Sequence, residues 1–153
     1  MTDKKIRDCE LFAALSNDEL ERIASSASEK QYEAGTTIFH EGENADELFM
    51  LQEGKVALQM TLKDNHGVTH RRMSVYIVSA NEAFGLPVVI APYTHTVTAV
   101  CLQNAKVLAI NGNDLRWLLQ NNPSAGYNVL GGIIKIVASM LEETRHLLIS
   151  ERL

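Results

Sequence analysis

Positive charge is scarce in this sequence: 14 Lys and Arg stand against 19 Asp and Glu, for a net charge of −5. A domain that binds nucleic acid directly gathers Lys and Arg on one face, because neutralising phosphates supplies most of its affinity. The densest basic spot here is His70-Arg71-Arg72, so direct nucleic-acid binding by this chain is not expected. Cysteine is nearly absent, and Cys9 and Cys101 lie far apart without metal-ligand spacing. They read as reduced, buried or half-buried thiols of a cytoplasmic protein. No apolar run approaches the roughly 18 residues of a membrane span, so no membrane contact is expected. The opening MTDKKIRDCELF has neither the apolar core nor the cleavage site of a signal peptide.

What remains is ordinary globular material. The chain has 153 residues, 46% of them hydrophobic and 22% charged, enough to bury a core without staples and too apolar for disorder. With no repeat and no low-complexity linker, residues 1–153 read as a single domain. The segment 1–28 holds N-terminal helices: Ser16 stands at an N-cap with Glu19 three residues on, a capping box. Leu20, Ile23 and Ala24 then share one face. Short runs rich in Val, Ile, Thr, Tyr and Phe come next, which predict strands near 29–32, 37–39, 47–53, 55–60, 71–78, 96–101 and 106–111. Turns at Gly35, at 41–44, at Gly54 and at 64–67 join them. This is the pattern of an antiparallel barrel or jelly roll.

From Gly112 the pattern is helical. Asn113-Asp114 is expected to cap a short helix over 115–121, and Pro123 opens a long one. Along the long helix Tyr127, Leu130, Ile134, Val137, Leu141, Thr144 and Leu148 are spaced as a coiled-coil seam. Ile133, Ile136, Met140 and Leu147 form a second stripe beside it. Two stripes predict a helix that packs on its own barrel and on a partner at once, as in a homodimer.

These residues together resemble a known family. The run from Ala34 to Val56, AGTTIFHEGENADELFMLQEGKV, looks like the front half of a cyclic nucleotide-binding domain of the kind found in the bacterial catabolite activator protein. The resemblance covers nearly the whole chain. It implies a mainly β fold with flanking helices: a double-stranded β-helix (jelly-roll) β-roll over 29–111, short N-terminal helices, and C-terminal helices over 113–153. It also implies a regulatory domain that senses a small-molecule effector, a cyclic nucleotide or another small anion, and signals through its last helix.

In the family the phosphate lies in a cassette like Phe-Gly-Glu-Leu-Ala-Leu, followed after a few residues by Arg-Ala. The resemblance places this cassette at 83–96, with Phe84, Gly85, Leu86, Thr94, His95 and Thr96 as ligand-binding positions. A short helix opening at Gly85 would turn backbone N–H groups toward an anion. Leu86, however, stands where the family's Glu meets the ribose, and His95 stands where its Arg meets the phosphate. Each charge-assisted bond contributes about 1.5–3 kcal/mol, so losing both costs roughly 3–6 kcal/mol, on the order of a hundredfold to ten-thousandfold in affinity. A phosphate beside His95 would favour its charged form, so anion binding there is expected to strengthen as pH falls. The alternative is a degenerate pocket plugged by Leu86, in a module that only dimerises. By the same resemblance, Leu141 and Arg145 of the last helix are expected to face the pocket, Arg145 alternatively lying on an exposed face with local ion pairs.

Nothing suggests catalysis or a metal. His66 and His70 fall in a hairpin and read as surface residues, Glu41, Glu43, Asp46 and Glu47 read as a solvated turn, and Ser16 and Ser150 have no base beside them. The chain is not expected to be an enzyme. Regulators of the resembling family continue into a helix-turn-helix after this last helix. A free-standing sensor and a piece of a longer protein are both compatible with a sequence that stops at Leu153.

Overall fold

The computed structural model of the chain describes residues 2–63, 66, 67 and 69–152, without the side chains of 2–4, 69 and 70. Part of the turn expected at 64–67, and the side chain of His70, therefore lie outside the described residues. Helix α1 (Thr2–Arg7) and a 3-10 turn (Glu10–Phe12) precede α2 (Asn17–Ser25). The capping box forms as the sequence requires: Ser16 Oγ accepts from the Glu19 N–H at 3.2 Å, and Glu19 Oε1 accepts from the Ser16 N–H at 2.9 Å.

The strands are β1 (Ala27–Tyr32), β2 (Thr37–Phe39), β3 (Glu47–Glu53), β4 (Val56–Lys63), β5 (Thr69–Val78), β6 (Ala83–Phe84), β7 (Thr98–Cys101) and β8 (Ala105–Asn111). They pair antiparallel in two sheets of four, in the orders β1-β8-β3-β6 and β2-β7-β4-β5. This is the expected β-roll. The strand expected to open at 96 begins at Thr98, because the residues before it belong to a loop, and the two-residue β6 was too short to leave a periodic signal.

The first sheet is the middle layer. Successive side chains point to opposite faces, so on β3 Leu48 and Met50 join one core and Phe49 and Leu51 the other. Across from them on β8, Leu108 and Ile110 join the first core, Val107 and Ala109 the second. The first core packs under the helices. The second fills the space between the sheets, and it contains the buried thiol of Cys101. Cys9 is buried in the first core, and burial pushes its thiol up to about 11.

Helix α3 (Gly112–Asn121) continues from β8 without a loop. Its cap is Asn111, whose Oδ1 accepts from the Asp114 N–H at 3.0 Å. This replaces the expected cap at Asn113-Asp114. The helix starts earlier because the Gly112 N–H donates to Asp46 O at 2.8 Å, which clips its first turn to the chain entering β3.

Helix α4 (Pro123–Arg152) is the long one. Ala125, Val129 and Ile133 are buried under the N-terminal helices, and Ile136 and Met140 continue that line. Leu147 of the same expected stripe is exposed. The heptad positions Tyr127, Leu130, Ile134, Val137, Leu141 and Leu148 are all exposed, Tyr127 to 80% and Ile134 to 67%. By length and composition α4 is apolar enough to cross a membrane; the sequence hid this because its apolar residues are interspersed with polar ones.

Close approach of α4 depends on a glycine. A Cβ on Gly132 would lie 2.9 Å from both Cα and O of Leu11, whereas one on the adjacent Gly131 would meet nothing within 4 Å. Helix propensity favours Ala over Gly by about 1 kcal/mol at either site, but overpacking costs about 1–3 kcal/mol. Gly132→Ala is therefore expected to destabilise the fold, and Gly131→Ala to stabilise it by about 0.5–1 kcal/mol. Urea denaturation of the two variants beside the wild type measures both signs.

Candidate functional site

Gly85 sets the site. At φ +82° it turns the chain out of β6 into a 3-10 helix (Leu86–Val89). A Cβ there would press on Glu47 O at 3.2 Å and the Phe49 ring at 3.3 Å, in a conformation that L residues rarely adopt. The residues after Gly85 reduce the expected phosphate cradle. Pro87 has no N–H, and the Val88 N–H donates to Gly85 O at 3.2 Å. Two of the first amides of the turn are thus removed from use by a ligand.

The loop after this turn is clipped to the β2–β3 connection. The His95 N–H donates to Glu43 O at 2.9 Å, the Gly42 N–H donates to His95 O at 2.8 Å, and the Ala45 N–H donates to Tyr93 O at 2.8 Å. These bonds lay the His95 imidazole flat on Phe39, with ring centres 3.6 Å apart and planes 8° from parallel. Phe39 in turn packs on Phe49 and Phe84, at 5.8 and 6.1 Å. His95 is 4% exposed, and its Nδ1 is buried without a hydrogen-bond partner. Burial holds its pKa below the ordinary 6.5, against the opposing charges of Glu43 and Asp46. The ring is neutral at pH 7, so it does not stand in for a guanidinium.

A cavity of about 580 Å³ opens beside this stack, within the range of small-molecule sites. Phe39, Leu58, Met60, Val75, Tyr76 and Phe84 contribute its strand walls, and the turn and loop contribute Gly85, Leu86, Pro87, Ile90, Thr94, His95, Thr96 and Val97. Leu86 is buried in the first core and edges the cavity without filling it. Among the described residues no Lys, Arg, Asp or Glu side chain lines the cavity. Burying an unpartnered ion costs several kcal/mol, so the walls favour neutral surface. The arginines of the basic spot, Arg71 and Arg72, line a separate trough with His40, Glu41, Thr61 and Thr98. Arg116 is engaged elsewhere, donating to Val88 O and to Asn113 Oδ1 at 2.7 Å over the Tyr93 ring.

Phe84, Gly85, Leu86, Thr94, His95 and Thr96 thus come together at one cavity. Leu141 and Arg145 do not join them. Both are exposed, and α4 presents Val137, Met140 and Thr144 instead. The helix rotation that buries Ile133 decides this. The strand residues of the wall escaped sequence reasoning, since an apolar alternating strand signals a core position equally well.

Two antiparallel four-stranded sheets in a roll, with a glycine-led turn and a long helix bordering one cavity, define a β-roll. The family model for the cyclic nucleotide-binding domain matches residues 29–122, and the chain belongs to that family. It is similar in structure to a candidate cyclic nucleotide-binding protein from Geobacter metallireducens, with 29% identity, a TM-score of 0.77, and 92% of this chain and 98% of that one covered. It is also similar to the N-terminal domain of a transcriptional regulator from Streptomyces coelicolor, at 30% identity and a TM-score of 0.68, over 88% of this chain and 93% of that one. In sequence it is 25% identical over 114 residues to a candidate potassium channel protein from Rhodopseudomonas palustris. That match takes in 74% of this chain and 26% of the relative, so the chain spans about a quarter of the length of the curated relative it matches.

The depressed pKa of His95 has a consequence for stability. The folded state resists protonation that the unfolded chain accepts near 6.5, so this contribution is complete above that pH and is lost as pH falls below it. The lowered pKa also moves to lower pH the range in which a protonated His95 would strengthen anion binding. Thermal unfolding is expected to shift to lower temperature between pH 7.5 and 5.5, and less so in His95→Phe, which keeps the ring stack without a titrating group. Equal pH slopes for the two proteins would show that His95 is not responsible.

Proposed function

We propose that this chain is a regulatory, non-enzymatic domain of the cyclic nucleotide-binding type with an atypical pocket. It couples a small effector to a dimer or partner contact through α4. The observation that carries this reading is Val137, which is both a wall of the cavity and a position of the exposed heptad seam. An effector that fills the cavity touches Val137, Met140 and Thr144, so it bears directly on the helix that a second copy would meet. Phe84, Gly85, Leu86, Thr94, His95 and Thr96 form the remainder of the proposed site. The buried, unpaired thiols of Cys9 and Cys101 fit a cytoplasmic location, and the acidic balance fits a role without direct nucleic-acid contact.

A second reading is a dimerisation module that binds nothing, favoured by the lack of charged side chains in the cavity wall among the described residues. The two readings differ in coupling. If the effector prefers one state of the dimer, dimerisation shifts effector affinity by the same factor that effector shifts dimerisation. Sedimentation of the wild type with and without cyclic AMP, cyclic GMP and neutral small molecules tests this: a dimer constant that no compound moves, together with no binding heat, supports the second reading.

The seam gives its own prediction. Ile134 projects into solvent at 67% exposure, so Ile134→Glu should leave folding of one copy intact while placing like charges opposite each other in a parallel pair. The wild type is expected to sediment at twice the chain mass and Ile134→Glu at the chain mass. A wild-type monomer at high concentration overturns the seam.

A further inference from the structure

We propose that the cavity takes a neutral, largely apolar, planar small molecule in preference to a cyclic nucleotide. This rests on the sensor reading above and goes beyond it by naming the ligand class. Three observations converge. The first is the wall itself, in which no Lys, Arg, Asp or Glu side chain appears among the described residues.

The second is the state of the polar groups in that wall. The Tyr76 hydroxyl donates to Glu82 Oε2 at 2.7 Å, the Thr144 hydroxyl donates to Met140 O at 2.9 Å, and the Thr94 hydroxyl donates to Pro92 O at 3.4 Å. These three hydroxyls are engaged within the protein, so they do not call for a charged occupant. His95 Nδ1 has no partner, but it is buried out of reach of an occupant.

The third is the rim. Met60, Val75, Ile90 and Val137 are between 40% and 49% exposed and border one opening. Apolar side chains gathered at a cavity mouth mark a binding surface. A charged phosphate would have to enter through this rim and rest against the neutral imidazole and its phenylalanine stack. A flat apolar molecule gains from every one of these walls.

The test uses the whole chain and N-phenyl-1-naphthylamine, a neutral planar fluorophore with one N–H. Its emission is expected to rise saturably at one probe per chain, with a Kd of about 10 µM or tighter for a ligand of this size, undisturbed by excess cyclic AMP. Val75→Trp and Val137→Trp, both at exposed rim positions, should each weaken it about tenfold or more, whereas Ile77→Ser on the outer strand should not.

Saturable binding of cyclic AMP with none of the fluorophore overturns the ligand class and leaves the sensor reading standing. Binding of neither overturns both. Fluorophore binding that survives both Trp variants, or that falls in Ile77→Ser, overturns the site.

Discussion

The contact on which the rest depends is the packing of Phe39 against Phe49 and Phe84. Phe39 belongs to one sheet, Phe49 and Phe84 to the other, so this cluster joins the two halves of the roll. Aromatic pairs bury much area and add about 0.5–1.5 kcal/mol beyond it. They also set the spacing of the sheets where the cavity opens. His95 lies on the outer face of Phe39, so the fold's internal joint is also the floor of its candidate site.

That placement decides the electrostatics. An imidazole flat against a phenyl ring, sealed from water, is held neutral by the cost of desolvating its charge. Glu43 and Asp46 oppose this, but burial prevails. The substitutions in the cassette therefore act together: Leu86 turns into the first core, Pro87 removes a backbone donor, and His95 contributes a flat neutral surface. The scaffold of an anion site remains, with walls suited to something uncharged.

Much was legible along the chain because local chemistry dictates it. Ser16 and Glu19 cap α2 whatever surrounds them, and the alternation through β3 and β8 requires a strand with two buried faces. The heptad seam was readable for the same reason, as spacing on a helix is a property of the helix alone. Leu141 and Arg145 were a different matter. Which side of α4 meets the cavity depends on how Gly132 settles against Leu11, and that contact joins residues far apart in sequence. The cap at Asn111 was missed similarly, since it depends on Gly112 meeting Asp46 across the fold.

By itself, then, the sequence determined the roll, the glycine-led cassette, the absence of its two charged anchors, and a last helix with two apolar faces. These arise from periodicity, turn chemistry and residue identity, all of which act over a few neighbouring residues. Only the tertiary structure decided that Leu86 leaves the cavity open, that His95 is neutral and stacked, and that Val137, Met140 and Thr144 are the helix residues at the site. Those outcomes depend on packing and burial, and neither exists until distant segments have come together.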